Sequence, residues 1–292
     1  MGGWRLNNTY RSGSGEVRWD RFGDPDGEPV VLLHGTPFSS FIWRHIAHAL
    51  ARDHLVYVWD MPGYGASDKF EGQDVSLAAQ DKVFADLLEN WGLREPVVVA
   101  HDSGGAVALG AHLRRGVRYS RLALVDAVAL PPWGSSFFQL VGEHVHVFQR
   151  LGPELHGALV REYMASASSR GLHPATLDAL VEPWLDGRGQ LAFYRQVAQR
   201  RADQRYTDEI QDRYDTIALP VMVCWGGDDT WIPADRGQEL ASRIPGARLE
   251  IIPGARHLVQ EDKPAELTAA LVAFLHEGHS ASTNPSPANN AS

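Results

Sequence analysis

Residues 96–105 read Pro-Val-Val-Val-Ala-His-Asp-Ser-Gly-Gly, and no other stretch constrains the fold as strongly. Residues 97–99 are apolar and β-branched, which favours a strand. Gly104 and Gly105 lead into an apolar run at 106–112 that suits a buried helix. A strand, a very tight turn and a helix form a nucleophile elbow, where one side chain stands exposed on a strained turn. The backbones crowd there, so small residues are needed two positions before and two after that side chain. Ala100 and Gly104 stand at those distances from Asp102. Centring the turn on Ser103 instead puts the His101 ring at a small position, so sterics favour Asp102. A helix-capping role for Asp102 is the structural alternative, and it weakens once partners for the carboxylate are found.

The chain has 292 residues, with 44% hydrophobic and 22% charged, as in an ordinary globular protein. A net charge of −9 gives no reason to expect binding to nucleic acid or to an anionic membrane. The single cysteine, Cys224, lies in an apolar run and reads as a core residue. No apolar stretch is long enough to span a bilayer, and the N-terminus lacks an apolar signal region. The expectation is a cytoplasmic enzyme that needs no metal or cofactor and acts on a small molecule. Nothing in the sequence fixes an oligomeric state.

Alternating patterns predict strands at 16–22, 29–33, 54–59, 122–125, 219–225 and 248–252. Helical spacing appears at 41–51, 76–91, 234–244 and 264–276. This alternation predicts an α/β fold with a mostly parallel sheet covered on both faces. Residues 131–215 break the pattern, with helical runs, many aromatics and no convincing strand. They read as a helical cap inserted into a core formed by 1–130 and 216–277. Residues 278–292 are rich in Ser, Asn, Pro and Ala and read as a disordered tail.

An aspartate that attacks a substrate becomes an ester, and hydrolysing that ester needs a water activated by a His that a second carboxylate orients. Two later segments supply these groups after predicted strands: 226–233, with Asp228 and Asp229, and 253–257, ending in His257. With these residues in place, the chain resembles the α/β-hydrolases over about residues 15–277, in particular the aspartate-nucleophile branch of epoxide hydrolases and haloalkane dehalogenases. The branch's G-x-x-D-x-x-x-P pattern aligns the acid with Asp229 and the base with His257. Asp126, at the end of the strand after the elbow, is an alternative acid. The resemblance implies an oxyanion hole from the N–H groups of Ser103 and Thr36, the latter in His34-Gly35-Thr36-Pro37, where Pro37 is a candidate cis residue. Asp60, Gly63, Gly65 and Ser67 read as a structural loop.

The branch divides by leaving group. The dehalogenase pattern implies a Trp directly after the nucleophile with an Asn in the His-Gly-x-Pro loop or a Trp in the cap, and the fluoroacetate dehalogenase pattern an Arg after the nucleophile, but this chain carries Ser103 and Thr36 at the first two positions. The epoxide-hydrolase pattern implies two cap donors, and it aligns them with Tyr194 and His144, with His146 and Tyr163 as substitutes. Trp133, Phe138, Phe148, Trp184 and Trp231 are candidate pocket residues. The reading is an epoxide hydrolase acting on an apolar or aromatic epoxide. A haloalkane dehalogenase with the same triad, a serine-type esterase through Ser103 and a non-catalytic ligand-binding protein remain as alternatives.

Overall fold

The computed structural model describes residues 4–131 and 134–277. Eight strands form one sheet: β1 (Asn8–Ser12), β2 (Gly15–Gly23), β3 (Glu28–Leu33), β4 (His54–Trp59), β5 (Val97–His101), β6 (Arg121–Val125), β7 (Val221–Gly226) and β8 (Arg248–Ile252). Their spatial order is β1-β2-β4-β3-β5-β6-β7-β8. The β1–β2 and β2–β4 pairs are antiparallel and all the others parallel. The hairpin strand β1 is absent from the sequence expectations. It is a short, largely exposed polar segment that pairs only with β2.

Central strands of a parallel sheet lose water on both faces, so they favour continuous β-branched runs. Val97, Val98 and Val99 on β5 follow this rule and are fully buried, as are Leu122, Leu124 and Val125 on β6. The covering helices are α1 (Arg44–Leu50), α2 (Leu77–Asn90) and α3 (Ser103–Arg115), then α10 (Ala234–Arg243), α11 (Val259–Asp262) and α12 (Pro264–His276). The helix expected at 41–51 is divided into a 3-10 turn, Ser40–Trp43, followed by α1.

Between β6 and β7 lie only helices: α4 (Ser136–Glu143), α5 (Val145–Phe148), α6 (Pro153–Ala165), α7 (Pro174–Val181), α8 (Gly187–Ala202) and α9 (Gln204–Gln211). This insertion is a helical cap on a mostly parallel α/β core. Polar bonds fasten it to the core. The Tyr206 hydroxyl of α9 donates to Asp81 of α2 at 2.6 Å, and Asp81 also takes Arg115 Nε at 2.5 Å. On the other side, Trp184 Nε1 donates to Pro37 O at 2.9 Å. No helix among the described residues is long and apolar enough to cross a membrane. The tail expected at 278–292 lies outside the described residues.

The β5–α3 turn is where the backbone is most confined. Asp102 adopts φ 50° and ψ −125°, a conformation that non-glycine residues rarely take. A Cβ on Gly104 would stand 2.4 Å from His34 O, a backbone atom with little room to move. Gly104→Val is therefore expected to destabilise the fold by about 3 kcal/mol or more, through overpacking against the β3 loop. Thermal unfolding against Gly13→Ala, a glycine with open space around it and no left-handed backbone, separates this crowding from general glycine loss.

Candidate active site

Three strand ends bring the site together. β5 delivers Asp102, the loop after β7 delivers Asp229, and the turn after β8 delivers His257. All three side chains are shielded from solvent, with Asp102 only 7% exposed and His257 0%. His257 Nδ1 donates to Asp229 Oδ2 at 2.8 Å. His257 Nε2 faces Asp102 Oδ2 across 3.5 Å. Asp229 Oδ1 accepts the backbone N–H groups of Trp231 (2.7 Å) and Ile232 (3.1 Å), which fixes the carboxylate plane.

The other oxygen of the elbow carboxylate has its own seat. Asp102 Oδ1 accepts the backbone N–H of Thr36 at 2.6 Å, and the Ser103 N–H also favours its charged form. The two N–H donors expected to form the oxyanion hole therefore converge on the carboxylate of Asp102. Ser103 Oγ lies 3.0 Å from Thr36 Oγ1, which in turn lies 2.7 Å from the Tyr64 hydroxyl. The Thr36–Pro37 peptide is cis. Asp60 accepts N–H groups from Ser40 and Ala66, both at 2.8 Å, and so ties two loops together.

The electrostatics follow from one imidazole between carboxylates in a dry site. Burial opposes charge on His257, but Asp229 and Asp102 outweigh it and hold the imidazolium well above its usual range. Burial likewise opposes charge on Asp102, and the hydrogen bond and charge of His257 pull its carboxyl below the usual value. His101 behaves in the opposite way. Burial and the neighbouring His257 charge push it down to about 3, so it is neutral and donates Nε2–H to His257 O at 2.9 Å.

Above Asp102 is a narrow cavity of about 20 Å³, room for about one water molecule. Thr36, Ser103, Phe138, Tyr163 and Trp231 are among its lining residues, with Val128 and Ile232. The Tyr163 ring stacks on Trp231 at 4.3 Å, and Trp231 stacks on His257 at 4.9 Å. Tyr163 accepts a hydrogen bond from Ser135 Oγ at 3.2 Å, which leaves its own hydroxyl hydrogen available. Burial is the main reason that its phenol resists ionisation, with smaller contributions from the Asp102 and Asp229 charges.

The cap residues aligned as donors are placed differently. His156 Nε2 donates to Trp184 O at 2.8 Å, so its Nδ1 is an acceptor and receives the Tyr194 hydroxyl hydrogen at 2.9 Å. Tyr194 is therefore turned into the cap and does not line the cavity. His144 and His146 are exposed. The structure does not bring His144 and Tyr194 to Asp102, because His156 captures one and the α4–α5 junction turns the other outward. Among the candidate pocket residues, Phe138 and Trp231 line the cavity. Phe148 packs on Tyr194 at 5.8 Å and Trp184 is buried against Tyr64 at 5.8 Å. Trp133 lies outside the described residues. Val128 and Ile232 carry no motif, and only their positions just after strand ends signal a pocket role.

The one group of potential metal ligands among the described residues is Asp126, Asp229 and His257, whose ligand atoms lie within 4.8 Å of one another. His257 Nδ1 and Asp229 Oδ2 are already bonded to each other, so the trio fits proton chemistry better than metal binding. If two carboxylates jointly hold the imidazolium, removing one charge must lower its pKa. Asp102→Asn is expected to lower the His257 pKa by about one unit or more, read by NMR titration of the ring nitrogens. An unchanged value is the contrary result.

The sequence matches the alpha/beta hydrolase family over residues 30–271. An alpha/beta hydrolase fold protein from Burkholderia ambifaria is 44% identical, with a TM-score of 0.88, covering 92% of this chain and 98% of that one. Epoxide hydrolase A of Mycobacterium tuberculosis is 29% identical, covering 87% of this chain and 92% of its own length. A cis-3-alkyl-4-alkyloxetan-2-one decarboxylase of Xanthomonas campestris is 28% identical, covering 87% and 90%. With its mostly parallel sheet, inserted cap and Asp-His-Asp-like arrangement, the chain belongs to the alpha/beta hydrolase family and is a hydrolase enzyme of that family.

Proposed function

We propose that the protein is an epoxide hydrolase that converts an apolar or aromatic epoxide to a vicinal diol through an ester on Asp102. The observation that carries this reading is the division of labour between the two Asp102 oxygens. Oδ1 rests on the Thr36 N–H, while Oδ2 faces His257 Nε2 across 3.5 Å. In an esterase the N–H cradle receives the substrate's carbonyl oxygen. Here the protein's own carboxylate occupies it, which is the arrangement needed when the bond to be hydrolysed is an ester of Asp102.

In the first half-reaction, Asp102 Oδ2 attacks an epoxide carbon and the ring C–O bond breaks. The departing oxygen takes a proton, and Tyr163 is the cavity phenol available to supply it. Ester formation removes the Asp102 charge, one of the two that hold the imidazolium. His257 then loses its proton as the phenolate regains one, and a neutral base faces the ester. In the second half-reaction, His257 takes a proton from water, whose oxygen adds to the Asp102 carboxyl carbon. The negative charge that develops on Oδ1 is met by the Thr36 and Ser103 N–H groups. Collapse of this intermediate frees the diol, whose oxygen takes the proton from His257.

The leaving group separates this reading from dehalogenation with the same triad. Among the described residues, the indole N–H groups of Trp184 and Trp231 are committed elsewhere, Trp184 to Pro37 O and Trp231 to Ser166 Oγ at 3.1 Å. The cavity instead offers hydroxyls. Two of the three similar proteins named above carry strained oxygen rings in their names, an epoxide and an oxetan-2-one, which also favours oxygen as the departing atom. The apolar rings of Phe138 and Trp231 in the cavity wall support an apolar substrate.

Without its base the protein should form the ester and fail to hydrolyse it. Intact mass of His257→Gln after addition of an aryl epoxide is expected to rise by the whole epoxide, with the label on Asp102. A gain of an alkyl group from a bromoalkane, with none from the epoxide, moves the reading to dehalogenation. Label on Ser103 moves it to an esterase. Among the tyrosines, Tyr163→Phe should slow epoxide turnover about 100-fold. Tyr194→Phe should leave the ring-opening rate within a few-fold and instead lower cap stability, by about 1–3 kcal/mol for a buried His156 nitrogen left without its donor. Equal kinetic losses would argue against Tyr163 as the donor.

A further inference from the structure

One buried carboxyl beside the acid–base pair takes no part in this chemistry. Asp126 directly follows β6 and has φ 42°, a second non-glycine residue in the left-handed region. Its side chain is fully buried. Its N–H donates to Cys224 O at 3.0 Å, and its Oδ1 accepts the Gly226 N–H at 2.8 Å, so β7 holds it from both sides. Its Oδ2 is also buried yet accepts no hydrogen bond. A carboxylate oxygen in that condition is expensive, because an unpaired buried charge has neither water nor a donor.

The groups facing it come from three elements. Asp229 stands in the loop after β7, His257 in the turn after β8 and Cys224 on β7 itself. His257 is the only cation among the groups that act on Asp126, and it already serves Asp102 and Asp229. One imidazolium against two carboxylates already leaves the dry site with a net negative charge, and a third carboxylate would add another. A hydrogen on Oδ2 removes both difficulties, since the orphaned acceptor becomes a donor and Asp229 is the acceptor next to it.

We propose that Asp126 is a neutral carboxylic acid whose Oδ2–H is donated to the Asp229 carboxylate, making it a positioning residue for the His257–Asp229 pair. Burial and the Asp229 charge both push its carboxyl well above the usual range, in keeping with this arrangement. Asp229 then receives donors from Trp231, Ile232, His257 and Asp126. Each donor spreads its charge and fixes its plane, so Asp229 orients the imidazole without holding the proton too tightly for His257 to act as a base in the ester.

The test uses the intact protein and needs no substrate. Infrared spectra at neutral pH are expected to contain a protonated-carboxyl C=O band that Asp126→Asn removes. Asn is a neutral donor of the same shape, so Asp126→Asn should leave the His257 pKa unchanged in an NMR titration. An ionised Asp126 predicts the opposite: no such band, and a drop of about one unit or more when its charge is removed. Either result overturns the proposal. Asp126→Leu removes the donor, so Asp229 becomes more basic and the His257 pKa should rise. A folded Leu variant with an unchanged pKa overturns the positioning role. If that variant does not fold, the band and the Asn titration still decide.

Discussion

Crowding between the β3 loop and the start of α3 leaves Asp102 one place to stand. Gly35 and Gly104 admit no Cβ: on Gly35 it would meet Asp102 Cβ at 2.3 Å, and on Gly104 it would meet His34 O at 2.4 Å. The positive φ of Asp102 is the conformational cost of that fit. The same confinement puts Oδ1 within 2.6 Å of the Thr36 N–H. One carboxylate oxygen is thereby fixed against the backbone, and the other is left to face His257. The remaining groups of the site are arranged around this orientation.

The sheet then supplies charge balance. Parallel strands end on the same edge, so β5, β6, β7 and β8 place Asp102, Asp126, Asp229 and His257 together although they are far apart in the chain. Such a cluster is tolerable in a water-free site only when each charge has a partner. The imidazolium answers Asp102 and Asp229, and backbone N–H groups answer the other oxygen of each. His101 keeps the balance by remaining neutral and anchors the base through its backbone carbonyl.

The parts of the site that were legible in the sequence are those fixed by local backbone. The small residues Ala100 and Gly104 identify the elbow register. The motifs around Asp229 and His257 follow strands whose apolar runs are plain, and the His-Gly-Thr-Pro segment points to Thr36. Cap residues obey a different constraint. Spacing within α8 says where Tyr194 stands relative to Phe193, but not which way the helix is rolled against α6. That roll is set by packing, and here the buried His156, which no motif marks, draws in the Tyr194 hydroxyl. Tyr163 gains its place in the cavity through its stack on Trp231, a contact between residues 68 positions apart that periodicity does not encode. The β1 strand was missed for a simpler reason: a polar strand that covers no core shows no alternation of apolar residues.

The hydroxyls of Tyr64, Thr36 and Ser103 form a chain with steps of 2.7 and 3.0 Å. A hydroxyl both donates and accepts, so such a chain can be polarised in either direction. With the hydrogens running toward Ser103, the cavity end presents a donor; with the order reversed, it presents a lone pair. The wall beside the nucleophile is therefore an adjustable dipole. It can meet an ether-like oxygen on entry and a newly formed hydroxyl on departure without any heavy atom moving.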